Sequence, residues 1–141
     1  MVDEKKIDDL VTAAVMADLE GLEFLMEFDD ATLCREYNGI GPEWFPSELR
    51  EKSTGLFSLF EPAALIHDMR NHMSDGTLAK FHEANREFLS NCLKLANNRY
   101  GIINWKRYRA RAVAYALFDF VESYGGWIAW QEAGGKLEKM K

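Results

Sequence analysis

The sequence predicts an all-α single domain. Two antiparallel central helices carry a candidate site, and an N-terminal and a C-terminal helix pack around them. Three observations predict it. Apolar residues recur at steps of three and four over most of the chain, the signature of amphipathic helices. No stretch of useful length alternates apolar and polar residues as a half-buried strand would. The chain has 141 residues, enough for one domain with one core.

The elements follow in order. Residues 4–27 place Ile7, Leu10, Val11, Ala14, Val15, Leu19, Leu22, Leu25 and Met26 at helical intervals, with Gly21 as the place for a break or bend. The pattern stops at Tyr37. "YNGIGPEWFPSELREKS" holds two glycines and two prolines and reads as an ordered loop with a short helical piece after Pro46. A helix is predicted from near Glu61, with Pro62 in its first turn, where a missing N–H costs little, and an apolar stripe of Pro62, Ile66, Met69 and Met73. "SDGT" at 74–77 ends it and caps the next helix. That helix runs to about Asn97, with the stripe Leu78, Phe81, Asn85, Phe88, Cys92, Leu95. The short connection makes these two helices antiparallel neighbours. A further helix is expected over 104–124, ended by Gly125-Gly126. "WIAWQEA" then forms a last short turn, read as core, before a frayed tail at 134–141.

The net charge of −6 argues against nucleic acid as the main partner and gives no general attraction to anionic membranes. "MVDEKKIDDL" is charged and lacks the apolar region of a signal peptide, and no apolar run is long enough to span a membrane. Cytosolic synthesis without a signal peptide is the expectation. Cys34 and Cys92 have neither CxxC nor metal spacing and read as two buried thiols, a single disulfide being the alternative.

The most informative position is Asn85, an amide in the middle of an apolar stripe. A buried amide without a partner costs about 1–3 kcal/mol, so something must face it. Counted outward from the 73–78 connection, His67 lies about as far back as Asn85 lies forward. The Asn85 side-chain oxygen can accept the imidazole N–H and fix its tautomer, which is what a general base needs from an orienting partner. A structural hydrogen bond that sets helix register is the plainer alternative. Asp68 is the next residue, about 100° further round the helix, so it points toward whatever packs on another side. Should "YNGIG" pack there, one carboxylate meets a set of backbone carbonyls, the hard oxygen donors that calcium takes.

Taken together, Tyr37-Asn38-Gly39-Ile40-Gly41, the dyad His67-Asp68 and "EANREF" at 83–88 resemble the phospholipase A2 superfamily. That superfamily pairs a Y-x-G-x-G calcium loop with a downstream helix bearing His-Asp and an antiparallel helix bearing the acid that orients the histidine. The order "NG-x-GP … L … EP … IHD … AN … F … N" looks like small phage or prophage members of this type, over roughly residues 34–97. The resemblance implies His67 as general base on a water, with Asn85 behind it in the acid's place. It implies Ca2+ held by Asp68 and the carbonyls of Tyr37, Gly39 and Gly41, and a phospholipid or other acyl ester as substrate. The phage particle or the host cytoplasm is the implied place of action. Asn71 stands where the family has a tyrosine, and the family's disulfides around the loop and dyad are absent. With the orienting acid replaced by an uncharged amide, a non-catalytic phage- or prophage-type structural or partner-binding protein on the same scaffold is the second hypothesis.

Three other arrangements compete. A His-Asp metal phosphohydrolase needs a histidine upstream, and His67 is the first in the chain. Asp68 and His72, spaced i, i+4, with His82-Glu83 beyond the turn, have a spacing that permits another metal, although surface histidines beside a turn are the ordinary explanation. Lys106, Arg107, Arg109 and Arg111 after Trp105 offer a basic, aromatic helix start to an anionic partner, against a simple solvated face.

Overall fold

The computed structural model describes residues 2–37, 55–123 and 126–132, and every regular element among them is a helix. α1 (Glu4–Met16) starts at Asp3, whose Oδ1 accepts from the Lys6 N–H at 2.8 Å. α2 (Leu22–Leu25) and α3 (Asp30–Glu36) are short, and Asp29 caps α3 through the Thr32 N–H at 2.7 Å. α4 (Phe57–His72) and α5 (Leu78–Arg99) follow, then α6 (Trp105–Val121), then a last turn over 126–132. Thr77 caps α5 and Asn104 caps α6, each accepting from a backbone N–H in the first turn, the usual work of such residues. No described helix is long and apolar enough to cross a membrane.

α4 packs against α1, α2 and α3 on one side and α5 on another, and α5 lies between α4 and α6. The position of α4 explains its sequence. Residues 62–67 are buried without interruption, so this helix is apolar nearly all round rather than striped. The principal core gathers Ile7, Leu25, Phe60, Leu65, Ile66, Met69, Cys92 and Leu117. A satellite cluster of Phe81, Ala84 and Trp130, with Trp127 against it, lies beneath the last turn. Trp130 is therefore core, as expected of the terminal aromatic cluster, whereas Ile128 within it is exposed. The Trp130 indole N–H donates to the Thr77 carbonyl at 2.9 Å, and the Ser74 hydroxyl donates to the Trp130 carbonyl at 2.9 Å, tying the last turn to the α4–α5 connection.

α6 ends at Val121 rather than at 124, α3 is not among the expected helices, and two further boundaries differ from the sequence expectation. The helix expected over 4–27 ends at Met16 and resumes at Leu22, through Asp18 at φ 51° and Gly21 at φ 90°. The break is stabilised from outside. The buried Asn91 accepts from the Glu20 N–H at 2.7 Å and donates to the Glu20 carbonyl at 2.9 Å, satisfying both backbone groups where the helix ladder is lost. Gly21 also lies so close to α4 that a Cβ there would sit 2.9 Å from Cγ2 of Ile66. α4, in turn, begins a turn before Glu61, at Phe57, and contains Pro62 rather than opening on it. Burial of Leu56 and Phe60 draws the preceding turn into the helix despite the proline. Met73 and Leu78 are exposed, so the two apolar stripes are shorter than expected at the connection.

Candidate functional site

His67 and Asn85 meet, as the apolar-stripe argument expected. His67 Nε2 lies 2.8 Å from Asn85 Oδ1, both residues are buried, and the Phe88 ring lies 4.8 Å from the imidazole, centroid to centroid. The direction of this bond follows from the other end of the amide. Asn85 Nδ2 donates to the Val121 carbonyl and to Glu122 Oε2, each at 3.3 Å. A backbone carbonyl can only accept, so the amide nitrogen must face Val121 and the amide oxygen must face His67. His67 Nε2 therefore carries the hydrogen, and in the neutral ring Nδ1 holds the lone pair. Burial pushes the His67 imidazole below its ordinary pKa, outweighing the rise from the Asn85 hydrogen bond, so the ring is neutral at pH 7.

The polar chain continues past the amide. Glu122 Oε2 also lies 2.7 Å from His82 Nδ1. His67, Asn85, Glu122 and His82 form one continuous row through α4, α5 and the end of α6. A carboxylate thus stands behind the amide, one hydrogen bond beyond the partner of His67. Sequence reasoning missed both Glu122 and His82 as members. The readable signal was Glu122 itself: a carboxylate just past a helix C-terminus opposes the macrodipole, where a cation is favoured.

Asp68 is half-buried on another side of α4. Glu61, Asp68 and His72 fall at i, i+7 and i+11, on one face of this helix. The end of α3 packs along that face. The Tyr37 hydroxyl donates to Glu61 Oε2 at 2.9 Å, and Glu36 Oε2 lies 3.4 Å from His72 Nδ1. The chain therefore leaves α3 at Tyr37 beside the face of α4 that bears Asp68, contacting it two turns before the aspartate and one turn after. Gly39 and Gly41 lie outside the described residues. Among the described residues no three His, Cys, Asp or Glu side chains converge as a metal cluster. His72 turns to Glu36 and His82 to Glu122, which separates the histidines that sequence spacing left open as a shared metal site.

A cleft of about 240 Å3 opens elsewhere along the α4–α5 seam, lined by Phe24, Arg70, Met73, Lys80, Glu87 and Trp130 among others. Neither His67 nor Asn85 lines it. Its principal charges are already paired: Arg70 makes two hydrogen bonds to the Glu87 carboxylate, at 3.1 and 3.0 Å, with its guanidinium 3.9 Å above the Phe24 ring. Cys34 and Cys92 are free, buried thiols, and burial pushes Cys92 well above the ordinary thiol range. No family model, curated protein or solved structure matches the chain.

Proposed function

We propose that this chain is a phospholipase A2-like hydrolase of acyl esters, with α4 and α5 as the antiparallel pair that carries the site. The observation that carries the proposal is the oriented His67–Asn85 bond, 2.8 Å long, with the imidazole hydrogen on Nε2. That tautomer leaves Nδ1 to take a proton from water as the water attacks an acyl carbonyl. As the imidazolium forms, Asn85 Oδ1 keeps accepting from Nε2, and the Glu122 carboxylate supplies a negative charge on that side, 3.3 Å from the amide nitrogen. An amide holds an imidazolium less strongly than a carboxylate in direct contact, and the burial that depresses His67 weakens it as a base. The expected enzyme is slow.

On another face of α4, the carboxylate of Asp68 supports calcium as the ion. Asp68 brings a carboxylate to the face of α4 beside which the chain leaves α3 at Tyr37, and a carboxylate joined by backbone carbonyls is the kind of donor set calcium takes. Asp68 and the carbonyls of Tyr37, Gly39 and Gly41 would hold the ion. Bound there, it would polarise the ester carbonyl and stabilise the developing oxyanion. The test is a calcium titration of thermal stability together with phospholipid hydrolysis, in the wild type and in Asp68→Asn. Calcium should raise Tm and support hydrolysis in the wild type, and Asp68→Asn should lose both effects. A wild-type chain that neither hydrolyses phospholipid nor gains stability from calcium would overturn the proposal. It would favour the second reading, a partner-binding protein on this scaffold, for which the uncharged Asn85 behind His67 is the favouring observation.

A further inference from the structure

The turn between α5 and α6 exposes apolar side chains that the core does not use. Ile103 is 100% exposed, Ile102 71%, Trp105 66% and Tyr108 53%. They form one platform rather than a loose tip. The Tyr108 hydroxyl donates to the Ile102 carbonyl at 2.6 Å, and the Asn104 N–H donates to the Gly101 carbonyl at 3.0 Å, so the turn is closed on itself and its side chains are displayed outward.

The charge along this stretch of the sequence is the reverse of the whole chain's. Between Glu87 and Asp119 there is no carboxylate, while Lys94, Arg99, Lys106, Arg107, Arg109 and Arg111 fall there, in a chain of net charge −6. Lys106 and Arg107 stand in the first turn of α6, where the positive end of the helix dipole disfavours cations. Local stability does not explain this placement. Net charge alone hides the segregation, and the expectation of no attraction to anionic surfaces holds only for the average over the chain.

We infer that this turn, with Ile102, Ile103, Trp105 and Tyr108 exposed beside the exposed Lys106 and the arginines that follow it in α6, is a docking surface for an anionic phospholipid bilayer. Isoleucines gain from burial in acyl chains, Trp and Tyr settle at the headgroup level, and lysine and arginine meet lipid phosphates. Nucleic acid would use the cations and the aromatic rings but leave two bare isoleucines unexplained. A second copy of the chain would set the cation cluster against itself. The inference does not rest on the proposed hydrolysis and holds for a catalytic or a non-catalytic chain.

The test is flotation of the full chain with vesicles in EDTA, where calcium-dependent hydrolysis plays no part. Vesicles are of phosphatidylcholine alone, or of phosphatidylcholine with phosphatidylglycerol. The chain should float with the anionic vesicles and not the neutral ones, and added salt should weaken binding. Replacing Ile102 and Ile103 together by serine should lower the partition coefficient by about tenfold or more, since two aliphatic side chains leave the acyl layer. Lys106→Glu should also weaken binding. It should not lower Tm, because a carboxylate in the first turn suits the helix dipole, which separates a lipid contact from a folding defect. Absence of flotation with anionic vesicles would overturn the inference. So would flotation unchanged by these substitutions, or a dimer that Ile103→Ser dissolves.

Discussion

Replacing Asn85 by leucine removes one buried acceptor and one buried donor while keeping the number and branching of the side-chain heavy atoms. The His67 N–H, 2.8 Å from Asn85 Oδ1, loses its acceptor inside the core, and an unsatisfied buried group costs about 1–3 kcal/mol. The Val121 carbonyl and Glu122 lose a longer partner at 3.3 Å, but Glu122 keeps His82, so this side adds little. The expected destabilisation is about 2–3 kcal/mol, a fall in Tm of roughly 5–10 °C for a chain of this size. His67→Leu should cost a similar amount, because it strands Asn85 Oδ1. The double variant removes both halves of the bond and should cost no more than either single change, leaving a coupling of about 2 kcal/mol. Urea unfolding of the four proteins measures each value, with unchanged m values as the control for two-state behaviour. Losses that add to within about 0.5 kcal/mol would refute the reasoning, because residues sharing a buried bond do not act independently.

The same burial makes stability depend on pH. His67 titrates below 6.5 when folded, so on acidification the unfolded chain takes up this proton first. The stabilisation is complete above pH 6.5 and is lost as pH falls toward the folded value. The gap in Tm between wild type and His67→Leu should therefore narrow as pH falls below 6.5, and a constant gap would contradict it. Gly21→Ala forces a side chain onto a φ of 90° and within 2.9 Å of Ile66, and should lower unfolding stability by at least about 1 kcal/mol. Asn91→Ala should cost about 2 kcal/mol and speed hydrogen exchange at the Glu20 amide, the donor that Asn91 satisfies. Cys92 should resist thiol reagents in the folded chain and react only on unfolding, as a wholly buried thiol held well above its ordinary pKa must.

What the sequence revealed of the site depended on one violation of pattern. Asn85 was out of place in an apolar stripe, and a cost of that kind demands a partner. Only a neighbour equally far from the connection satisfies it, so the His67 contact is readable in the sequence. Asn91 sits one and a half turns further along the same helix and is just as buried, yet it raised no flag, because it lies beside the stripe rather than in it. Its partner is backbone, at a helix break whose position no periodicity marks. Glu122 was hidden for a different reason. It reaches Asn85 from the end of another helix, and only the three-dimensional meeting of α5 and α6 brings it there. The start of α4 was misplaced because Pro62 reads as a first-turn residue, whereas burial of Leu56 and Phe60 outweighs the lost backbone bond. Gly39 and Gly41, calcium-loop positions implied by the family resemblance, stand outside the described residues.

His67 is proposed as a base held in its working tautomer by Asn85. The measurement that tests it most directly is hydrolysis of phospholipid vesicles in calcium by wild type and by His67→Ala, with circular dichroism confirming that both are folded. The wild type should release fatty acid slowly and only with calcium, and the variant should release none. Equal release by the two folded proteins, or no release by either, would contradict it.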